Sequence, residues 1–387
     1  MITFFARIAW LVARSNCCGH LGRQLHSHSL LDDQAHALEQ LIAWVEQYHV
    51  DAVLLAGDLY DRSVPATDAV ALLSRTLDRI CGDLGVPLVM IPGNHDSAER
   101  VGFAAAQLER AGLHVRAELL KEPQPVLFKD AYADLAVYAF PYVDPPLART
   151  VFGQPFANHD EVYAFLCEQA LAHNPSGRRL VVVAHAFVDG GDASESERPL
   201  SIGGSDRVDA GHFSAFNYAA LGHLHRPQSV GQDSIRYSGS LAKFSFSEVT
   251  HDKGACLVDM DADGSVSCSH LSFSAKRDVR VLEGLFEDLI TSPRREMQDD
   301  YLMIRLLDRG AILDAMPRLR SIYPHVLHLE RPAFEPDDSA RQLPARREHG
   351  VLPLFDSFMH TVTGEHLDAE QRKVLGDVLD NLVRETD

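Results

Sequence analysis

Four short runs in this 387-residue chain each close an apolar stretch with residues that bind metal ions. They are Gly57-Asp58-Leu59-Tyr60-Asp61, Gly93-Asn94-His95-Asp96, Ala184-His185 and Gly222-His223-Leu224-His225. The stretches before them, residues 52–56, 87–91, 180–183 and 218–221, read as buried strands. In open α/β sheets, sites are built at the carboxyl ends of strands. One acid-plus-histidine run could be chance. Four of them imply one site holding two metal ions.

A carboxylate just past Gly57 lets the backbone come close to an ion, and its two oxygens can bridge two metals about 3.5–4 Å apart, the spacing for in-line displacement at phosphorus. Alone, Asp58 reads more readily as a turn or helix-capping residue; with the other three motifs it reads as the bridging ligand. Asn94 offers a neutral amide oxygen to the second ion. His95 is placed to face the substrate phosphate, where it would stabilise the phosphoryl oxygens or protonate the leaving oxygen. Asp61 would orient that imidazole. The alternatives are a plain turn at Pro92-Gly93-Asn94 and a surface carboxylate at Asp61. His185 and His223 complete the second ion's shell and His225 reaches the first, because residues two apart on an extended segment share a face. Mixed Asp, Asn and His donors suit manganese, iron or zinc better than calcium.

Composition narrows the class. With 36 basic and 55 acidic residues, the net charge of −19 argues against a grip on nucleic acid through global positive charge. It leaves open a local grip through metals, a few arginines or a basic partner. The six cysteines, at 17, 18, 81, 167, 256 and 268, form no C-x-x-C pair, which fits a reducing cytoplasm. No apolar run reaches transmembrane length, and the faint signal-like stretch at residues 4–13 is short and interrupted by Arg7. No Walker-type Gly-Lys-Ser/Thr loop and no G-x-S-x-G elbow occur.

The elements that must position these residues follow from periodicity. Residues 29–50 and 67–84 read as helices alternating with the strands at 52–56 and 87–91, a layered α/β pattern. Residues 126–128 and 135–140 look like a strand pair, and 161–172 like a helix. Asp261-Ala262-Asp263-Gly264 reads as a hairpin turn between strands at 255–260 and 266–273. The expected fold is an α/β two-sheet sandwich flanked by helices over residues 1–275, of which 1–19 are atypical. A small α+β capping domain would occupy 276–340, with strands at 301–307 and 326–330 and a helix at 311–319. A linker and two terminal helices, 351–363 and 367–385, would fill 341–387.

In this order the motifs resemble the calcineurin-like metallophosphoesterase superfamily. The strings His20-Leu21-Gly22-Arg23, Ser196-Glu197-Arg198-Pro199-Leu200, Gly203-Gly204-Ser205-Asp206-Arg207 and Gly222-His223-Leu224-His225-Arg226-Pro227 resemble, more narrowly, the SbcD nuclease-subunit family. The likeness runs over nearly the whole chain from about residue 20. It implies His20 as a ligand of the first metal, manganese as the ion, and a capping domain that shapes the DNA site. It implies terminal helices that dock on an SbcC-like SMC-family ATPase, with this chain as a homodimer inside a heterotetramer. The activity implied is ATP-dependent double-strand exonuclease and single-strand endonuclease action in DNA repair, recombination and replication. The missing Walker loop fits a partner that supplies ATP hydrolysis, and Leu354, Phe355, Phe358 and Met359 form an apolar stripe suited either to docking or to packing on their own domain.

The chain departs from the family at one point. The family carries Ser-Asp-Trp-His-Leu-Gly-Arg, whose Asp and His both bind the first metal. Here the matching stretch is Cys17-Cys18-Gly19-His20, with Cys18 where the Asp belongs and Gly19 where the Trp belongs. Three explanations stand: an altered start or frame, a thiolate ligand that favours zinc, or a subunit that keeps binding without catalysis. The alternatives to the nuclease are accordingly a phosphatase with the same core or a catalytically impaired scaffold.

Overall fold

The computed structural model describes residues 8–12, 20–129, 134–174, 178–197, 206–332, 351–363 and 365–384. Cys17, Cys18, Gly19, residues 198–205 of the motif strings and the expected linker at 341–350 lie outside the described residues. The chain divides into two compact units, Met1–Val279 and Arg280–Asp387.

The first unit is built on two six-stranded sheets. One runs, in spatial order, Val266–Ser272, Gly254–Met260, Ile8–Val12, Ala52–Ala56, Leu88–Ile91, Leu113–Val115. The other runs Gln228–Val230, Gln232–Tyr237, Tyr218–Gly222, Arg179–His185, Asp134–Phe140, Val126–Lys129. In the first sheet, Ile8–Val12, Ala52–Ala56, Leu88–Ile91 and Leu113–Val115 are parallel neighbours. In the second, Asp134–Phe140, Arg179–His185, Tyr218–Gly222 and Gln232–Tyr237 are parallel neighbours.

Strand alternation explains the layers. Along Ala52–Ala56 every residue is buried, but successive side chains face opposite ways. Leu54 and Ala56 pack with Val89 and Ile91 against Val137, Val181, Val183 and Ala220 of the facing sheet. Val53 and Leu55 instead join Leu38, Leu41, Ile42 and Val45 of the helix Leu31–Gln47. On the far side, Val182, Ala184 and Leu221 pack on Val162, Tyr163 and Leu166 of the helix His159–Ala172. The result is helix, sheet, sheet, helix, with each fully buried Val or Leu contributing roughly 1.5–3 kcal/mol.

Two expected helices come out differently. The one expected over 67–84 is an α-helix only over Thr67–Leu77, then widens into a π-turn over Asp78–Asp83, with the Leu84 amide donating to the Arg79 carbonyl at 3.0 Å. The one expected over 311–319 shrinks to Ala315–Arg320, because Pro317 has no N–H and is tolerated only in a first turn.

In the second unit, Val279–Gly284, Tyr301–Leu306 and Val326–Glu330 form a three-stranded sheet, and Leu302, Ile304 and Val326 pack with Phe286, Leu289 and Leu319. The terminal helices are Val351–Thr363 and Ala369–Arg384. The second opens on a reciprocal cap: Asp368 accepts from the Gln371 amide at 2.8 Å, and the Gln371 side chain accepts from the Asp368 amide at 3.0 Å. Among the described residues no helix is long and apolar enough to cross a membrane.

Candidate metal centre

Parallel neighbours end at one edge of each sheet, so the loops after Ala52–Ala56, Leu88–Ile91, Arg179–His185 and Tyr218–Gly222 meet. Glycines make the meeting close. A Cβ on Gly222 would sit 1.8 Å from the Ala56 carbonyl oxygen of the facing sheet and 2.6 Å from His185 Nδ1. A Cβ on Gly57 would sit 2.4 Å from the same nitrogen. Asp58 (φ +50°) and His223 (φ +110°) adopt backbone angles that side-chain-bearing residues rarely take, a strain that clusters at functional sites.

All eight residues singled out from the sequence converge. Asp58, His185 and His223 can each bring one ligand atom within 4.8 Å of the others, and so can His20, Asp61 and His95. Asn94 Oδ1 lies 2.9 Å from His185 Nε2, and His225 Nε2 lies 3.0 Å from His20 Nε2. His20 is fastened to the loop after Ala52–Ala56 by its own amide, which donates to the Asp58 carbonyl at 3.1 Å.

The donor chemistry fits a cation. His185 Nδ1 lies 2.8 Å from the Ala56 carbonyl oxygen. A carbonyl only accepts, so Nδ1 carries a proton, and in the neutral ring Nε2 keeps the lone pair. Facing that lone pair are Asn94 Oδ1 and, at 3.4 Å, Asp58 Oδ2. Turning the Asn94 amide would supply a donor, but the carboxylate would still face the lone pair. A cation satisfies all three atoms at once. His20 Nδ1 is likewise buried with no hydrogen-bond partner.

His20 and His223 are kept in the neutral, ligating form. Burial, then the neighbouring His225 and His95, hold His20 well below the usual histidine range. Burial, then His185, push His223 down to about 3, although Asp58 pulls the other way. For Asp58, burial acts upward, but His185, His95 and a backbone hydrogen bond outweigh it and keep the carboxyl low.

His95 is held through both its main chain and its ring. Its amide donates to Asp58 Oδ1 at 2.9 Å and its Nδ1 lies 3.0 Å from the Asp61 backbone carbonyl. The orienting contact thus comes from the Asp61 main chain. The Asp61 carboxylate faces Arg23 Nη1 at 2.8 Å, with His20 Nδ1 at 3.7 Å. Of the other arginines near the motifs, Arg226 pairs with Asp192 at 2.7 Å, Arg207 pairs with Asp189 at 2.5 Å, and Arg100 is exposed.

Sequence reasoning missed the residues that brace these loops. The Asp96 carboxylate accepts the amides of Leu59, Tyr60 and Gly93 at 2.9, 3.0 and 2.9 Å, tying two loops together. Glu197 Oε1 accepts the His225 amide at 2.6 Å. Glu248 is fully buried 3.2 Å from His225 Nδ1, and its carboxyl lies well below the usual range because Lys253 and His225 overcome the effect of burial. Asp96 was visible in its motif string; Glu248 and Lys253 carried no signal.

Comparison with known proteins now decides the family. The family described as calcineurin-like phosphoesterase matches residues 25–227, and one described as type 5 capsule protein repressor C-terminal domain matches residues 275–363. The SbcD chain of the nuclease SbcCD from Staphylococcus saprophyticus is 32% identical over 383 residues, covering 95% of this chain and 97% of that protein. Its counterpart from Staphylococcus epidermidis is 29% identical, covering 91% and 93%. The chain belongs to the SbcD family of calcineurin-like phosphoesterases.

SbcD relatives are nuclease subunits, so membership favours a metal-dependent phosphodiester hydrolase over the phosphatase and scaffold alternatives. The phosphoesterase core works with divalent cations, and the two side-chain groups described above are the candidates for holding them. The phosphoesterase match spans the runs at Asp58, Asn94, His185 and His223, and begins after the altered stretch at Cys18.

Proposed function

We propose that the chain is the catalytic subunit of an ATP-dependent nuclease acting on double-stranded DNA ends and on single strands, in DNA repair, recombination and replication. Asp58, Asn94, His185 and His223 would hold one divalent cation; His20 and His225, sharing Asp58, would hold the other. The observation that carries this reading is the convergence of His185 Nε2, Asn94 Oδ1 and Asp58 Oδ2 on one point, a mixed donor set that a divalent cation would satisfy. Manganese is the ion we assign, because the family resemblance implies it; the mixed nitrogen and oxygen donors suit it as they suit iron or zinc. Such cations, when bound, polarise a phosphodiester and supply a nucleophilic water at neutral pH.

The rest is done by side chains. His95, with Nδ1 on the Asp61 carbonyl, keeps Nε2 for the substrate and moves a proton at the leaving oxygen. Asp58 and the His95 amide fix that ring relative to the ligands. Arg23 neutralises Asp61, so the phosphate meets less negative charge.

Leu354 and Phe358 are 59% and 57% exposed on the helix Val351–Thr363, which supports its docking on an SMC-family ATPase. We assign the chain to a homodimer within a heterotetramer and to the cytoplasm, where the thiols of Cys81, Cys167, Cys256 and Cys268 would stay reduced. Because Cys18 replaces an expected carboxylate, the second ion should be held more tightly than the first. Mixing the purified chain with its ATPase partner, manganese and linear duplex DNA tests the reading. ATP-stimulated nucleotide release is expected, and Cys18→Asp with Gly19→Trp should raise it. Hydrolysis of a nitrophenyl phosphate monoester without any DNA cleavage would reject it.

A further inference from the structure

Glu248 sits behind the ligand His225 and has no part in the reaction as described so far. Its side chain is fully buried. One oxygen lies 2.6 Å from Lys253 Nζ and accepts the Phe244 amide at 3.2 Å. Lys253 is itself buried, and its ammonium also donates to the His225 carbonyl and to Ser240 Oγ, both at 2.8 Å. Held against an ammonium in this way, the carboxylate can only accept hydrogen bonds.

The other oxygen of Glu248 faces three atoms, the hydroxyl of Ser196 in a very short contact, His225 Nδ1 at 3.2 Å and, more distantly, the hydroxyl of Ser194 at 3.3 Å. Ser196 Oγ also lies 2.5 Å from His225 Nδ1. The hydroxyl has a single proton. Given to Glu248, it leaves Ser196 with only lone pairs toward His225, so Nδ1 must carry a proton. The direct contact between Nδ1 and the carboxylate demands the same. Both routes put a proton on Nδ1, and in the neutral ring the lone pair is then on Nε2, the nitrogen 3.0 Å from His20 Nε2.

We propose that Glu248, clamped by Lys253, is a positioning residue for the first metal site: it holds His225 in the Nδ1–H tautomer and so presents Nε2 to a divalent cation. The inference rests on reading His225 as a ligand. Carboxylates placed in this way on ligating histidines orient the ring and raise its basicity, and losing one typically weakens metal binding about 10–100-fold.

The test uses the full chain with ¹⁵N-labelled histidine, first without metal. The imidazole nitrogen shifts of His225, assigned by their loss in His225→Ala, should report a proton on Nδ1. Glu248→Gln alone strands the Lys253 charge and risks the fold, so the double variant Glu248→Leu with Lys253→Met replaces the pair by apolar side chains of similar size. In it, His225 should lose its single tautomer. Manganese affinity of the site that His225→Ala abolishes should fall about 10–100-fold, with the other site unchanged. A wild-type proton on Nε2, or a folded double variant with unchanged tautomer and affinities, overturns the proposal. Absence of manganese binding to the wild-type chain, with the Nδ1–H tautomer intact, would instead bring down the ligand assignment beneath it.

Discussion

Gly222→Ala should damage stability and metal binding together, through one distance. The new Cβ would stand 1.8 Å from the Ala56 carbonyl oxygen, and that carbon–oxygen pair must open by about 1.2 Å to reach even the 3.0 Å floor of real contacts. The obstruction is backbone of the facing sheet, so no side chain can swing away. The same carbonyl accepts the proton of His185 Nδ1 at 2.8 Å, and an opening along that line would stretch the bond to about 4.0 Å. Forcing extra volume into packed structure costs about 1–3 kcal/mol. A buried donor left without its acceptor costs about 1–3 kcal/mol more. A loss of about 2–6 kcal/mol is a large share of the 5–15 kcal/mol that stabilises a typical domain. Without its carbonyl partner, His185 no longer has a fixed tautomer, and manganese affinity at the second site should drop roughly 10–100-fold. Urea denaturation and titration calorimetry measure the two effects on one sample. A variant within about 1 kcal/mol of wild type in stability, with unchanged affinity, would refute the reasoning that this glycine seats the sheet edges around the site.

His95→Asn should lower turnover on DNA by about 10²–10⁴-fold with metal content unchanged; an equal loss of bound manganese would make His95 a ligand and not a proton carrier. Because burial holds His223 at about 3 against 6.5 for a free histidine, its neutral form contributes stability that is full above pH 6.5 and is lost as pH falls toward 3. The metal-free chain should therefore lose about 1.4 kcal/mol per pH unit from this group across that range, and His223→Asn should flatten the slope; an unaltered slope argues against it. Phe358→Glu should abolish ATP stimulation of the nuclease while leaving metal binding intact, and co-elution of that variant with the ATPase at wild-type strength would count against docking through this helix.

How much of this could be read in advance depended on whether the cause was local. The run Ala-Val-Leu-Leu-Ala at 52–56 is apolar throughout because a strand between two packed layers has no wet face, and that is visible without coordinates. The ligand candidates were visible for a related reason: each sits where such a strand must stop. The shortened helix at Ala315–Arg320 had a visible cause in Pro317, which the apolar spacing around it masked. The brace behind His225 was different. Glu248 and Lys253 lie more than twenty residues from the motif they support and sit in a stretch with no metal-binding pattern, so only the chain's path brings them together. The Asp61 carboxylate illustrates a subtler gap. Spacing suggested that the residue would contact His95, but not that the contact would be made by the main chain while the side chain turned to Arg23.

The anchorage of His20 has a consequence for the metal centre. Its amide hangs on the Asp58 carbonyl, its carbonyl accepts from the Gln34 side chain at 3.0 Å, and Leu21 continues the attachment to Leu59 at 3.3 Å. Every one of these moorings lies downstream in the chain. Among the described residues, then, the main chain at His20 is moored by later parts of the chain, which seat its imidazole at the edge of the site.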